Sequence, residues 1–196
     1  MPSKILIFLG SVRPARLVER IGIAVKNIVT TEGMEPEIID PAELPFEIVK
    51  VPMHFMVEPE KEAPEWMLET NKKIQNADGY IIVCPEYNCV IPPALCNMLD
   101  HFPPSSFRHR PCGIVTYSAG TYGGIRVATI LRPFVSELGM VSVPAYVAIP
   151  TAQLSIEADG TCSSERISNN LTKLVKEVEW YASALQNHKA NVPPPQ

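Results

Sequence analysis

"GYIIVCPEYNCVIPPALCNMLD", residues 79–100, leaves an apolar run through a polar, proline-flanked turn and then takes up a helical pattern. The run 79–84 is short, almost wholly apolar and rich in β-branched side chains, as a strand covered on both faces requires. Pro85 sets a turn, and residues 92–102 resume at helical spacing. A buried strand that passes through a loop into a helix is one unit of a parallel α/β sheet. Polar and aromatic groups at the carboxyl end of such a strand either punctuate the turn or hold a ligand.

The same alternation extends in both directions. Residues 4–10 (KILIFLG), 35–40 (EPEIID), 111–117 (PCGIVTY) and 141–149 (VSVPAYVAI) are the other strand candidates, each bounded by turn formers. Helical spacing joins Leu17, Ile21, Val25 and Ile28, and again Ile125, Leu131, Phe134, Val135 and Leu138, where Pro133 is expected to kink or offset the helix. Residues 64–77 give a helix opening at Pro64, and residues 163–187 carry Ile167, Leu171, Leu174, Val178, Tyr181 and Leu185 on one stripe. Five strands alternating with five helices predict an α/β fold with a mostly parallel five-stranded sheet, helices on both faces and right-handed crossovers. One domain is expected over residues 1–188, followed by a disordered Pro-rich tail at 189–196.

Bulk composition narrows the function. The 196 residues are 46% hydrophobic and 19% charged, a globular balance. A formal charge of −4 argues against nucleic-acid binding, which needs a basic surface. No apolar run approaches the roughly 20 residues of a membrane span, and residues 1–10 read as a first strand rather than a secretory leader. Five cysteines without a C-x-x-C pair suggest neither a disulfide framework nor a zinc site, so no metal is expected and a reduced, cytoplasmic setting is.

Three loops follow strands one, three and four, at one edge of the sheet. The first, "GSVRPARLVER", offers the Ser11 hydroxyl and the Arg13 and Arg16 guanidinium groups beside the amino end of a helix, a combination suited to phosphate. A capped helix with solvated arginines is the alternative. In the second, Tyr87 can present an aromatic face and Asn88 a donor and acceptor pair to a flat heterocycle; Pro85 shapes the turn. Glu86 there reads as a partner for nearby backbone amides, and the whole loop could be a turn over a core tyrosine. The third, "SAGTYGG" (118–124), has small residues that admit a flat ligand, with Tyr122 at its edge and Gly123 and Gly124 free to take positive φ. Thr116 stands where a G-x-S-x-G elbow needs its first glycine, and no C-x5-R loop is present, so hydrolase and phosphatase nucleophiles are not indicated. Taken together, the loops fit a phosphorylated planar heterocycle, for which FMN is the natural candidate.

These motifs resemble the NADPH-dependent FMN reductase family. "GSVRPAR", "PEYNCVIPPALCNMLDHF" and "SAGTYGG" match in order and spacing that family's phosphate loop, its P-E-Y-N loop and helix, and its third flavin loop, over residues 4 to about 150. The resemblance implies a flavodoxin-like three-layer sandwich with bound FMN and NADPH or NADH as co-substrate. Quinones, azo compounds, chromate or free flavin are the implied small-molecule acceptors, reduced in a ping-pong scheme with no catalytic side chain. It implies that Ser11, Arg13 and Arg16 hold phosphate, that Pro85, Glu86, Tyr87 and Asn88 line the ring and ribityl side, and that Ser118, Gly120, Tyr122 and Gly123 form the remaining wall. The first loop departs from a common G-S-x-R-x-x-S-x-N pattern, with Arg16 and Val18 in place of its Ser and Asn, and Cys89 stands where Gly or Ser is common. Family members are dimers or dimers of dimers, so the weakly patterned segment 46–66 and the 92–102 helix are expected to pack on a second copy. A flavodoxin-type electron carrier or a non-catalytic flavin-binding regulator is the alternative function.

Overall fold

Strands form where the apolar runs predict them: β1 Lys4–Leu9, β2 Glu35–Ile39, β3 Gly79–Pro85, β4 Pro111–Tyr117 and β5 Val141–Ile149. The computed structural model describes residues 2–45 and 47–195. Met1, Phe46 and Gln196, which belong to the expected domain, the segment 46–66 and the expected tail, lie outside the described residues. The helices are α1 Val18–Thr31, α2 Pro59–Glu62, α3 Glu65–Asn76, α4 Pro93–Asp100, α5 Pro104–Phe107, α6 Ile125–Glu137, α7 Ala152–Ser155 and α8 Glu165–Lys189, with a 3-10 turn at Met53–Phe55.

All strand pairs are parallel, in the order β2-β1-β3-β4-β5, which is the flavodoxin-like arrangement. From β1 the chain first builds outward to β2, then crosses back to β3 on the other side. The crossover reverses between β1 and β3, and at their carboxyl ends the loops diverge to opposite faces and leave a crevice. Every residue of β3 and β4 is buried, because these central strands are covered on both sides.

Alternation along the strands divides the core in two. Leu6, Phe8, Tyr80 and Ile82 face α3, α4 and α6 through Met67, Ile74, Leu95, Leu99, Val127 and Leu131. Ile5, Ile7, Ile81 and Val83 face α1 and α8 through Ile21, Val25, Leu174 and Val178. Each such fully buried aliphatic side chain contributes roughly 1.5–3 kcal/mol.

α6 runs through Pro133 as one helix, Ile125–Glu137. Pro133 and Thr129 are both on the exposed side, where the Thr129 carbonyl, deprived of its helical N–H partner, is within reach of solvent. One expectation is corrected: the segment after β2 is more ordered than its pattern suggests. Asn97 on α4 accepts from Val49 N at 2.8 Å and donates to Glu47 O at 2.9 Å, and Met53 N donates to His101 O, so this stretch is laid along α4.

Candidate functional site

The loop after β1 begins with a close backbone approach. Gly10 N donates to Val83 O at 2.8 Å, and a Cβ at Gly10 would stand 2.9 Å from that same oxygen. Only glycine lets β1 end this near to β3. Ser11 follows, fully buried, and its hydroxyl shares a 2.6 Å hydrogen bond with the Tyr87 hydroxyl of the β3 loop. Arg13 lies with its guanidinium carbon 3.5 Å from the Tyr87 ring centre, a cation–π contact, and has no carboxylate partner among the described residues.

Arg16 is held differently. Its two terminal nitrogens grip both oxygens of Asp40, one at 2.7 Å, its Nη1 also donates to Ser11 O, and its Nε reaches Glu19 at 3.0 Å. The side chains of Arg16 and Asp40 are each only 8% exposed. Burial by itself lowers the guanidinium pKa, but the hydrogen bonds to Asp40 and Glu19 outweigh it and leave it raised. Of the two arginines expected at a phosphate, one is free to turn into the crevice and the other is tied to a protein carboxylate. Among the described residues no side chain caps the amino end of α1, so its first amides are open to another acceptor.

The loop after β3 is a tight hairpin. Tyr87 N donates to Val90 O and Val90 N to Tyr87 O, with Asn88 and Cys89 between them at φ 51° and 66°. Two consecutive left-handed residues are the signature of a type I′ turn. Asn88 sits exposed at its tip. The Glu86 carboxylate accepts from Arg126 N at 3.0 Å and Val127 N at 3.3 Å, and from the Arg126 guanidinium through Nε at 2.6 Å. It therefore caps α6, bonding backbone amides 40 and 41 residues along the chain.

The loop after β4 turns on Gly123 and Gly124, at φ 62° and 74°. A Cβ on Gly123 would come within 2.9 Å of Pro150 N, and one on Gly124 within 2.9 Å of Tyr117 O. Ser118 Oγ donates to Gly120 O, and Thr151 N donates to the same oxygen, so the loop is pinned to the chain after β5. Tyr122 is 70% exposed and lies 5.7 Å from the Arg126 guanidinium.

The three loops enclose one cavity of about 290 Å³, lined by residues 13–17, 85–87 and 117–119. A larger hollow of about 430 Å³ opens beside Lys4, Glu35 and Lys72, at the amino ends of β1 and β2 and remote from these groups. Arg13, Arg16, Pro85, Glu86, Tyr87 and Ser118 line the smaller cavity, and Ser11 joins it through Tyr87. Asn88, Gly120, Tyr122 and Gly123 stand outside that lining.

Tyr117 is a wall residue that sequence reasoning missed, because it closes an apolar strand and reads as core. It is 4% exposed, and its hydroxyl makes no hydrogen bond to any described residue. Burial pushes its pKa up, the nearby Tyr87 and Cys84 add to this, and Arg16 and Arg13 oppose it. The buried polar side-chain atom left unpaired among the described residues is Glu179 Oε2, so the Tyr117 hydroxyl is open to the cavity and can bond a polar group placed there. Asp40 and Arg126 were missed for a different reason: their partners lie 24 and 40 residues away in the chain.

Comparison with known proteins gives one consistent result. A family model described as NADPH-dependent FMN reductase matches residues 3–153. An NAD(P)H-dependent FMN reductase of Schizosaccharomyces pombe is 27% identical over 195 residues, covering 97% of this chain and 94% of its own. A quinone reductase of Escherichia coli is 35% identical over 79 residues, covering 39% of this chain and 42% of its own. Among solved structures, the flavoenzyme NAD(P)H:(acceptor) oxidoreductase FerB of Paracoccus denitrificans superposes with a TM-score of 0.73 at 21% identity, over 95% of this chain and 98% of that one. That last likeness is one of fold.

Proposed function

The chain belongs to the NADPH-dependent FMN reductase family, and on that premise we propose that it binds FMN across the three strand-end loops. It would reduce small-molecule acceptors, such as quinones, azo compounds or free flavin, at the expense of NADPH or NADH. The observation that carries this reading is the cavity at the switch point. There Ser11, Arg13, Tyr87 and Tyr117 converge from three loops, and the Tyr117 hydroxyl, open to the cavity, can donate to a ligand rich in acceptors.

Each group has a role its position supports. Ser11, Arg13 and the open amides of α1 would hold the phosphate, where the helix dipole and a forked cation favour negative charge. Arg16, at the cavity wall, would shape that loop through its bonds to Asp40 and Ser11. Tyr87 and Pro85 would border the ring and ribityl side, with Asn88 at the tip of the turn. Gly123 keeps the backbone of the third wall close to the chain after β5, Gly120 leaves open space beside it, Ser118 fixes its bend, and Tyr122 stands at the solvent edge. Glu86 supports both walls by capping α6.

Bound FMN would supply the redox chemistry, taking hydride from the nicotinamide and returning electrons to the acceptor in two half-reactions (ping-pong). The protein contributes orientation, exclusion of water from the crevice, and backbone donors toward negative charge, so no side-chain nucleophile is required. A homodimer or dimer of dimers is part of the reading. Ile48, Phe55 and Val57, on the segment that Asn97 holds in place, and Val90, in the turn before α4, are exposed apolar side chains that a second copy would cover. A cytoplasmic setting suits the five free thiols.

The test is anaerobic mixing of the flavin-loaded protein with NADPH and with NADH, followed by an acceptor panel. Bleaching by a nicotinamide and recovery on adding a quinone are expected. A flavin reduced only by artificial donors would instead favour an electron carrier.

A further inference from the structure

We propose that Asp40 is a positioning residue for the phosphate cradle: by gripping Arg16 it fixes the bend of the first loop, and Arg16 does not itself touch the phosphate. The inference rests on the FMN reading above and deepens it.

Register places Asp40 at the cradle. Phe8 pairs with Ile39, so Asp40 follows at the level of Leu9, one residue before the loop begins. The carboxylate is itself anchored, since Oδ1 also accepts from Ala42 N at 2.9 Å. It then holds both terminal nitrogens of Arg16 in a nearly buried fork, the arrangement that fixes guanidinium geometry most tightly. From this fixed position Arg16 Nη1 donates to Ser11 O, closing the loop between residues 11 and 16.

That closure accounts for a strained residue. Ala15 sits at φ 53°, a left-handed conformation that a side chain disfavours and that persists only where neighbours enforce it. The Arg16–Ser11 bond spans it. The charges agree as well. A bidentate pair is close to neutral, so Asp40 neither repels a phosphate strongly nor leaves Arg16 to attract one, and Arg13 remains the unpaired cation.

The experiment compares FMN with riboflavin, which has the same ring and ribityl chain but no phosphate, by quenching of flavin fluorescence. Asp40→Asn is expected to weaken FMN binding roughly tenfold with riboflavin affinity unchanged, the scale of loss seen when a supporting residue is removed behind a ligand contact. Direct phosphate contact by Arg16 predicts the opposite sign: freeing it from Asp40 and removing a negative charge would leave FMN binding equal or tighter. Either of those outcomes overturns the inference, and so does equal weakening for both flavins. Asp40→Asn strands a buried cation and can fail to fold, so the wild type supplies a second measurement. With ¹⁵N-labelled arginine, FMN is expected to move the Arg13 guanidinium resonance and leave that of Arg16 in place; a displaced Arg16 resonance overturns the inference. Wild-type protein that binds neither flavin would overturn the functional reading itself, and this inference with it.

Discussion

Cys89 occupies a backbone position built for glycine. At φ 66° in the second left-handed place of the Tyr87–Val90 turn, its side chain carries a penalty of about 1–2 kcal/mol. Glycine would relieve this while adding about 0.5–1 kcal/mol of unfolded-state freedom. Cys89→Gly should therefore stabilise the protein by about 0.5–1 kcal/mol, seen as a higher urea midpoint; an unchanged or lower midpoint would count against the turn as described. At this scale the sequence was partly legible. Glu86 could be read as a partner for amides, because a carboxylate between a strand and a turn has few other options. Arg16 could not be told from Arg13, since what separates them is Asp40, just past the end of β2 and 24 residues away. Tyr117 was hidden because burial looks the same whether a hydroxyl faces the core or a cavity.

Among elements, the strands and long helices were legible because their apolar periodicity is local. All five strands fall within one residue of their expected ends, as the runs bounded by Gly, Pro and Asp foretold. The short helices α2, α5 and α7 were not legible, nor was the path of the segment after β2, because long-range bonds such as those of Asn97 set it. The join from β4 to α6 gives a prediction at this level. Gly124 is left-handed, and an added Cβ would press on the Tyr117 carbonyl at 2.9 Å, where backbone cannot yield cheaply. Gly124→Ala should cost at least about 2 kcal/mol and should also weaken flavin binding, since Tyr117 would shift at the cavity wall. Chemical denaturation and a flavin titration check the two effects; a variant of wild-type stability would contradict the geometry.

For the whole molecule, the buried sheet makes stability depend on alkaline pH. Burial raises the pKa of Cys112 to about 12 from 9.0, and raises those of Cys84, Tyr80 and Tyr117 as well. Folded protein keeps these protons where the unfolded chain has begun to release them, so the unfolded state binds fewer and stability falls as pH rises. The loss should begin near pH 9, where unfolded thiols ionise, and steepen above 10 with the tyrosines, at up to about 1.4 kcal/mol per pH unit for each group. Urea unfolding from pH 7 to 11 measures it, and a flat profile would contradict the burial. The parallel sheet was foreseeable from alternation. Its 2-1-3-4-5 order rests on tertiary pairing, and the family resemblance rather than the periodicity pointed to it. That order brings the three loops together, and the central claim is that they grip a flavin by its phosphate. Titrating the flavin-free protein with FMN and with riboflavin tests this most directly. The account predicts that FMN binds at least about tenfold tighter, the worth of one charge-assisted hydrogen bond, and that Arg13→Ala removes most of the difference. Equal affinity for the two flavins in the wild type would contradict it.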